Sequence, residues 1–212
     1  MIRIGNEEPV LETENWPPLW QKIVRAKKNS ASVYRYASLA HLQFELKLRT
    51  AIVEAAKALR RSGVQFEDFE HSHCNERFWH LNNRGGFELR SDVTPAEGIR
   101  DIFANGPLYG FECATAIVIV LYKGLLDCIR EKDFNRMFAD LLLYDWHYDA
   151  TCVSSKSKAL PKRSLAMSSI SKIRTSTRGK SNGREKIPSS WKKTFITGTA
   201  SGSNRPARSS PS

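Results

Sequence analysis

The chain has 212 residues, of which 41% are hydrophobic and 26% are charged, and its formal net charge is +11. That length suits one domain of ordinary size, and the hydrophobic share is enough for a packed core. No apolar run approaches the roughly 20 residues that a membrane-spanning helix needs, and the first residues lack the apolar stretch of a secretory signal. We therefore expect a protein that is kept inside the cell and has no membrane partner.

The positive charge is concentrated near the end of the chain. Residues 151–212 contain 14 Lys and Arg and a single acid, Glu185, whereas residues 1–150 contain 19 basic and 21 acidic residues. Serine accounts for 16 of those last 62 residues, and such a composition cannot bury enough apolar surface to offset chain entropy. The sequence predicts a folded domain over residues 1–150 and a disordered, basic tail over residues 151–212.

The first part of the chain is predicted to begin irregularly and then to form a long helix. Residues 1–33 contain three helix-breaking prolines and favour at most a short helix from Leu19 to Lys27. Apolar residues then recur at helical spacing from Ser38 to Arg61. Ser38 is suited to cap the start of that helix, and Gly63 is suited to end it.

Short strands and a second helix are predicted next. Residues 77–82 and 86–90 alternate in polarity around a glycine-rich turn, which is typical of a β-hairpin. Thr94, Pro95 and Glu97 have the order of a capping box that opens a helix. The Asn-Gly-Pro run at residues 105–107 should end that helix.

The most apolar part of the chain follows this turn, over residues 108–127. Its β-branched run at 117–120 permits a strand, but its length and the absence of breakers before Gly124 favour a buried helix. A short helix over 133–140 and an apolar strand over 141–144 are predicted to follow. This mixture of helices and short strands indicates the α+β class.

Cys113 is the candidate nucleophile because it lies at the predicted start of the buried helix. Backbone N–H groups and the positive end of the helix dipole stabilise a thiolate there, so we expect a lowered pKa for this thiol. Glu112 is a candidate base, or only a first-turn acid that compensates the dipole. His147 is another candidate base, or a core histidine. A buried cysteine that only packs is the competing interpretation of Cys113.

The other Cys and His residues carry no comparable signal. The cysteines are widely spaced and form no CxxC pair, which argues against a zinc site and against a disulfide scaffold. Cys128 falls within the helical pattern and is expected to pack, whereas Cys74 and Cys152 lie in predicted loops. The remaining histidines lack metal-binding spacing: His41, His71, His73 and His80. We therefore expect no metal site.

Three blocks of sequence occur in a specific order. The first contains Phe-Glu-Leu-Lys-Leu-Arg at 44–49 and extends to residue 66, and the second covers 96–119 with Phe-Glu-Cys-Ala-Thr at 111–115. The third is Leu-Tyr-Asp-Trp-His-Tyr at 143–148. In this order and spacing the blocks resemble the protein-glutamine gamma-glutamyltransferases, or spore coat transglutaminases, of endospore-forming bacteria. The resemblance extends over about residues 38–148.

The resemblance implies a papain-like core of the NlpC/P60 kind and an acyltransferase that needs neither calcium nor another cofactor. It implies Cys113 as the nucleophile and Glu112 as the base. A glutamine side chain would form a thioester with Cys113, and a lysine amine would then convert it into an isopeptide cross-link. The resemblance also implies a role in sporulation, with spore coat proteins as substrates. The location would be the mother-cell cytoplasm and then the spore coat.

The chain departs from this family after residue 148. The resemblance implies about a hundred further residues with more strands, a second catalytic glutamate and a downstream histidine, and residues 151–212 do not show that pattern. A frameshifted reading of this region is one interpretation, and a natural basic tail is the other. Because a papain-like core uses the later strands as the opposite wall of its cleft, we expect an incomplete core with little or no transglutaminase activity.

Three functions therefore remain open at the level of sequence. The first is the cross-linking acyltransferase, and the second is a related papain-like thiol amidase or hydrolase in which water resolves the thioester. The third is a catalytically inactive chain whose basic tail binds nucleic acid or another anionic surface without sequence preference.

Overall fold

The computed structural model describes residues 1–144, which form an α+β arrangement of helices and short strands. The helices are α1 (Pro18–Lys28), α2 (Leu39–Arg61), α3 (Pro95–Ala104), α4 (Cys113–Leu126) and α5 (Glu131–Met137), with a 3₁₀ turn at Gly106–Leu108. The strands are β1 (Ile2–Ile4), β2 (Tyr34–Tyr36), β3 (Gln65–Phe66), β4 (Trp79–Leu81), β5 (Phe87–Leu89), β6 (Gly110–Phe111) and β7 (Leu142–Leu143). The predicted tail at 151–212, His147 and Cys152 lie outside the described residues.

The N-terminal segment is more ordered than its prolines suggest. The predicted short helix is confirmed as α1, but the expectation of an otherwise irregular lead-in is wrong because β1 pairs in parallel with β2, which places Ile2 opposite Tyr34. Ile2 is 1% exposed and packs in a small apolar cluster with side chains from α1 and α2. A three-residue strand carries too little periodicity to be found in the sequence, and its partner 30 residues later stabilises it.

The long helix α2 begins and ends as predicted. The side chain of Ser38 accepts a hydrogen bond from the backbone N–H of His41, and Gly63 has a φ of +87° just beyond the last turn. Only glycine adopts that left-handed backbone without a steric cost. Capping at one end and the positive φ at the other fix the length of α2.

Two further predicted motifs are confirmed in the middle of the chain. Strands β4 and β5 form the expected antiparallel hairpin, and β7 pairs with the other edge of β5 to give a three-stranded sheet. Thr94 and Glu97 form a reciprocal capping box at the start of α3, and α3 ends before Asn105. The helix expected over 133–140 is found slightly earlier, as α5.

Helix α4 is the central buried element, as predicted. Eleven of its fourteen residues are buried, and it packs along α2. At Gly124 the two helices come so close that an added Cβ would lie 2.7 Å from Cγ1 of Ile52. No helix within residues 1–144 is long and apolar enough to cross a bilayer.

Strand β6 is followed almost directly by helix α4. Strand β6 pairs in parallel with β3, so that Phe66 lies opposite Phe111. One residue, Glu112, separates the end of β6 from the first residue of α4. This strand-to-helix junction positions the functional groups described next.

Candidate active site

Cys113 is the first residue of α4, and its side chain is half-buried. The preceding residue, Glu112, has an extended backbone with φ of −82° and ψ of 177° and serves as the N-cap of the helix. The change from strand to helix therefore occurs immediately before the sulfur. As predicted from the sequence, the thiol lies in the first turn of a buried helix and not in the middle of packed hydrocarbon.

Glu112 uses both carboxylate oxygens to cap α4. Its Oε2 accepts a 2.6 Å hydrogen bond from the backbone N–H of Ala114, and its Oε1 accepts a 2.6 Å hydrogen bond from that of Thr115. A capping side chain of this kind stabilises a helix by about 1 kcal/mol. The same carboxylate also interacts with the Cys113 thiol. Glu112 is thus both a helix cap and a neighbour of the candidate nucleophile.

The expected lowering of the Cys113 pKa is wrong for this chain. Burial of the thiol raises its pKa above the ordinary value, and the negative charge and hydrogen bond of Glu112 raise it further. The backbone N–H groups of Cys113 and Ala114 act in the opposite direction, but they are outweighed. The helix terminus has the predicted effect, but the carboxylate that caps it cancels that effect at the neighbouring sulfur.

Strand β6 is held on both sides just before it reaches the sulfur. On one side, the Gln65 N–H donates to the Tyr109 carbonyl at 2.9 Å, and the Glu67 N–H donates to the Phe111 carbonyl at 3.2 Å. On the other side, His73 and Gly110 exchange two backbone hydrogen bonds of 3.0 and 2.9 Å. The backbone that carries Glu112 and Cys113 is therefore fixed before α4 begins.

His73 and Glu67 lie over the α-carbon of Gly110. A Cβ on Gly110 would overlap the imidazole of His73 and would lie 2.8 Å from Cγ of Glu67. Both side chains are half-buried, and Nδ1 of His73 lies 3.2 Å from the His71 carbonyl oxygen. Only a glycine at position 110 leaves room for them. These two titratable groups next to the junction were not identified from the sequence.

A sequence signal for His73 existed only in part. Gly110 lies two residues before the candidate acid, and a glycine within a strand often marks the close approach of another group. The group that approaches Gly110 is the side chain of His73, which lies in a loop 37 positions earlier in the chain. Neither periodicity nor motif spacing connects the two residues. Only the tertiary structure identifies the imidazole.

Large apolar side chains are exposed around the junction. Phe66, opposite Phe111, is 52% exposed, and Leu108 is 51% exposed. Phe69 is 39% exposed, and its ring centroid lies 5.4 Å from that of Tyr144. Exposed apolar side chains therefore occur on both β3 and the turn before β6.

Cys74, Cys128 and His71 have different surroundings from Cys113. Burial raises the pKa of Cys74 to about 11 and that of Cys128 to about 11, so both behave as packed thiols. His71 is exposed and pairs with Asp68 at 2.7 Å, which raises the pKa of its imidazole. Within residues 1–144, no group of three or more His, Cys, Asp and Glu side chains is arranged to hold a metal ion.

Comparisons with known proteins identify a family that matches this chain. The family model described as protein-glutamine gamma-glutamyltransferase matches residues 1–166. Proteins of that name from Bacillus mycoides (strain KBAB4) and Bacillus cereus (strain B4264) are each 46% identical to this chain over 129 residues. That alignment covers 61% of this chain and 47% of each relative, so the chain spans about half the length of the curated relatives it matches.

A solved structure is similar as well. It is described as the transglutaminase from Geobacillus stearothermophilus without its C-terminal extension. The two chains are 54% identical and superpose with a TM-score of 0.53, over 54% of this chain and 55% of the other. The family-model match, over residues 1–166, includes the strand-to-helix junction.

Proposed function

Because this chain belongs to the protein-glutamine gamma-glutamyltransferase family, we propose that Cys113 carries acyl groups from glutamine side chains to lysine amines. The product is an ε-(γ-glutamyl)lysine cross-link between proteins. The observation that supports the proposal is the half-buried thiol of Cys113 at the start of α4, next to the N-cap Glu112, whose carboxylate raises the pKa of the thiol. That pair supplies a nucleophile and an adjacent proton acceptor.

The first half of the proposed reaction acylates the sulfur. Since its pKa is raised, Cys113 rests as a thiol, and Glu112 takes the thiol proton as the sulfur attacks the glutamine amide carbon. When the tetrahedral intermediate collapses, the carbon–nitrogen bond breaks and Glu112 returns the proton to the departing nitrogen. Ammonia leaves, and a γ-glutamyl thioester remains on Cys113.

The second half transfers the acyl group. A neutral lysine amine attacks the thioester carbon and gives a proton to Glu112, and the carbon–sulfur bond then breaks. The sulfur recovers the proton from Glu112, so the thiol and the carboxylate are restored. The isopeptide bond replaces the amide bond that was broken, and the net products are the cross-link and ammonia.

The start of α4 also supplies hydrogen-bond donors for the negative oxygen of both tetrahedral intermediates. Glu112 occupies the N–H groups of Ala114 and Thr115. We assign the oxyanion contact to the backbone N–H of Cys113, which precedes them in the first turn. The nucleophile and the oxyanion donor then belong to the same residue.

The biological setting is proposed from the same family resemblance. We propose a papain-like core, a role in sporulation, and spore coat proteins as the glutamine and lysine substrates. The protein would be made in the mother-cell cytoplasm and then reside in the spore coat. The proposed steps use a thiol, a carboxylate and backbone N–H groups, so they require neither calcium nor another cofactor.

Amine incorporation tests the proposed function. The purified chain is incubated with a glutamine-containing protein and a fluorescent primary amine, and the labelled protein is quantified. We expect labelling, however slow, that Cys113→Ala abolishes and that Cys128→Ala leaves unchanged, because Cys128 is a packed thiol distant in sequence from the junction. Labelling that survives Cys113→Ala would contradict the proposal. The sequence-based expectation of little or no activity stays a prediction, and the same assay measures it.

Ammonia release separates the acyltransferase from a related thiol hydrolase. An acyltransferase releases more ammonia when a primary amine is added, because the amine resolves the thioester faster than water does. A hydrolase releases ammonia at the same rate with and without the amine. That second result would assign the site to amide hydrolysis.

A further inference from the structure

A buried carboxylate lies on the inner side of α3, close to the candidate site. Asp101 is 6% exposed and accepts three side-chain hydrogen bonds. The Tyr109 hydroxyl donates to its Oδ2 at 2.5 Å, and the Asn75 amide donates to the same oxygen at 2.8 Å. The Asn105 amide donates to Oδ1 at 2.6 Å. All three donors are neutral, so none of these contacts is an ion pair.

The three donors come from three different places around β6. Asn105 directly follows the last residue of α3, and Tyr109 directly precedes β6. Asn75 belongs to the loop on the other side of β6, two residues after His73. One carboxylate therefore holds both ends of the connection from α3 to β6 and also the loop that flanks β6.

Tyr109 transmits this constraint to the backbone of the site. Its ring is fully buried, with a centroid 6.2 Å from that of Phe87, and its carbonyl accepts the 2.9 Å hydrogen bond from Gln65. Burial raises the pKa of the Tyr109 hydroxyl far above its ordinary value, and the hydrogen bond to Asp101 raises it further. The hydroxyl therefore stays protonated and remains a donor to the carboxylate.

The position of Tyr109 affects the reacting groups through the chain itself. Gly110 follows Tyr109 and exchanges the two backbone hydrogen bonds with His73, and Cys113 is three residues after Gly110. A tilt of the tyrosine would shift β6 relative to β3 and so move the Glu112 cap and the sulfur. Displacements of about 1 Å at a reacting atom can reduce a rate on the order of 100-fold.

We propose that Asp101 is a positioning residue for the Cys113 thiol, because its carboxylate anchors Tyr109, Asn75 and Asn105 around the strand that leads to the sulfur. The inference rests on the proposed function in taking Cys113 as the reacting atom. Asp101 itself does not touch substrate, and it acts through Tyr109 and the backbone of β6.

The proposal predicts opposite changes in two rates. In Asp101→Asn, an amide N–H₂ replaces one carboxylate oxygen and then faces a hydrogen-bond donor instead of accepting from it. In Tyr109→Phe, only the hydroxyl that donates to Asp101 is lost. Both changes loosen β6, so the Cys113 thiol becomes less buried and moves away from the Glu112 carboxylate. Because burial and that carboxylate raise the pKa of the thiol, its pKa should fall back toward the ordinary value of about 8.5. We expect alkylation of Cys113 at pH 8 to become roughly three- to tenfold faster. Amine incorporation should fall on the order of tenfold.

The measurement is alkylation by iodoacetamide as a function of pH, with each cysteine followed separately by peptide mass spectrometry. Cys128 reports global unfolding in the same sample, because its thiol is half-buried and this burial raises its pKa. Asp92→Asn is the matched control, since it removes a carboxylate that is 66% exposed and pairs with Arg90 in the segment between β5 and α3. That control should leave the Cys113 profile unchanged.

Two results would overturn the proposal. One is a Tyr109→Phe variant in which the alkylation rates of Cys113 and Cys128 increase in parallel, since the hydrogen bonds of Asp101 would then serve only global stability. The other is a pH profile of Cys113 alkylation that is unchanged in both Asp101→Asn and Tyr109→Phe. Alkylation requires no acyl donor, so it decides the role of Asp101 even if the wild-type chain incorporates no amine. The absence of incorporation would count against the proposed function alone.

Discussion

At the scale of single residues, Glu112 performs two tasks that oppose each other. As the N-cap of α4 it satisfies two backbone N–H groups, and as the neighbour of Cys113 it raises the pKa of the thiol that it is proposed to deprotonate. A cysteine that relies on a resting thiolate would gain from losing this carboxylate. A cysteine whose proton is removed during attack would not.

Replacing Glu112 by Gln separates these two cases. The thiol of Cys113 loses a neighbouring negative charge, so its pKa falls and the alkylation profile moves to lower pH. If Glu112 is the base, amine incorporation nevertheless falls, on the order of 100-fold or more. Both quantities are measured on the same preparation, by pH-dependent alkylation and by fluorescent amine incorporation.

Glu97→Gln is the control for that experiment. Glu97 closes the capping box of α3, so its replacement disturbs a helix cap in a similar way but lies away from the sulfur. It should leave the alkylation profile of Cys113 unchanged. If Glu112→Gln lowered the thiol pKa while amine incorporation stayed constant, Glu112 would be a cap and not a base.

At the scale of elements, the contact between α2 and α4 determines where the thiol is held. The two helices are in close contact at Gly124, where an added Cβ would lie 2.7 Å from Cγ1 and 3.0 Å from the backbone N of Ile52. The second contact is with backbone, which cannot be relieved by a rotamer change. Any side chain at this position must therefore separate the helices.

Gly124→Ala tests this contact. In an unconstrained helix the change would stabilise the protein by up to about 1 kcal/mol, because alanine is the better helix former. Overpacking against Ile52 should outweigh that gain and give a net destabilisation of about 1–2 kcal/mol. Urea unfolding followed by circular dichroism measures the difference. A more stable variant would show that α2 and α4 are not tightly packed at this position.

At the scale of the whole described structure, the N-terminal segment is joined to α2 by a buried charge cluster. Glu45 is fully buried, pairs with Lys27 at 3.0 Å and Arg49 at 2.8 Å, and accepts a 2.8 Å hydrogen bond from Tyr36. Burial alone would raise the pKa of Glu45. The attraction of Lys27 and Arg49 and the hydrogen bonds outweigh burial, and the pKa is lowered.

The lowered pKa of Glu45 gives stability a defined pH dependence. Its contribution is fully present above the unfolded value of about 4.3 and is lost as the pH falls through the lower folded value. Glu45→Gln should therefore destabilise the chain by about 3 kcal/mol at pH 7 and weaken the loss of stability below about pH 4.3. Urea unfolding at pH 7 and at several acidic pH values measures both effects.

Glu54→Gln is the matched change on the surface of the same helix. Glu54 pairs with Lys57, but the two side chains are 59% and 52% exposed. Its replacement should alter stability by no more than about 0.5 kcal/mol. Equal effects of the two substitutions would indicate that the Glu45 cluster does not contribute as a buried ion pair.

The sequence by itself determined the elements whose signals are local. The caps at Ser38 and Thr94, the hairpin turn, and the start of a buried helix at Cys113 each depend on residues within a few positions of one another. Local hydrogen bonds and backbone sterics act over the same short distance, so these predictions were confirmed. The assignment of Cys113 and Glu112 as site residues also came from neighbouring positions, and it stays a prediction.

The tertiary structure alone decided which distant groups meet and in which direction the pKa of Cys113 is shifted. Parallel pairing of β1 with β2, His73 over Gly110, and the hydrogen bonds of Asp101 all join segments far apart in the chain. The pKa of Cys113 was misjudged because it is the balance of burial, a neighbouring carboxylate and the helix terminus. Each of those contributions depends on distance and on exclusion of water, which a linear sequence does not specify.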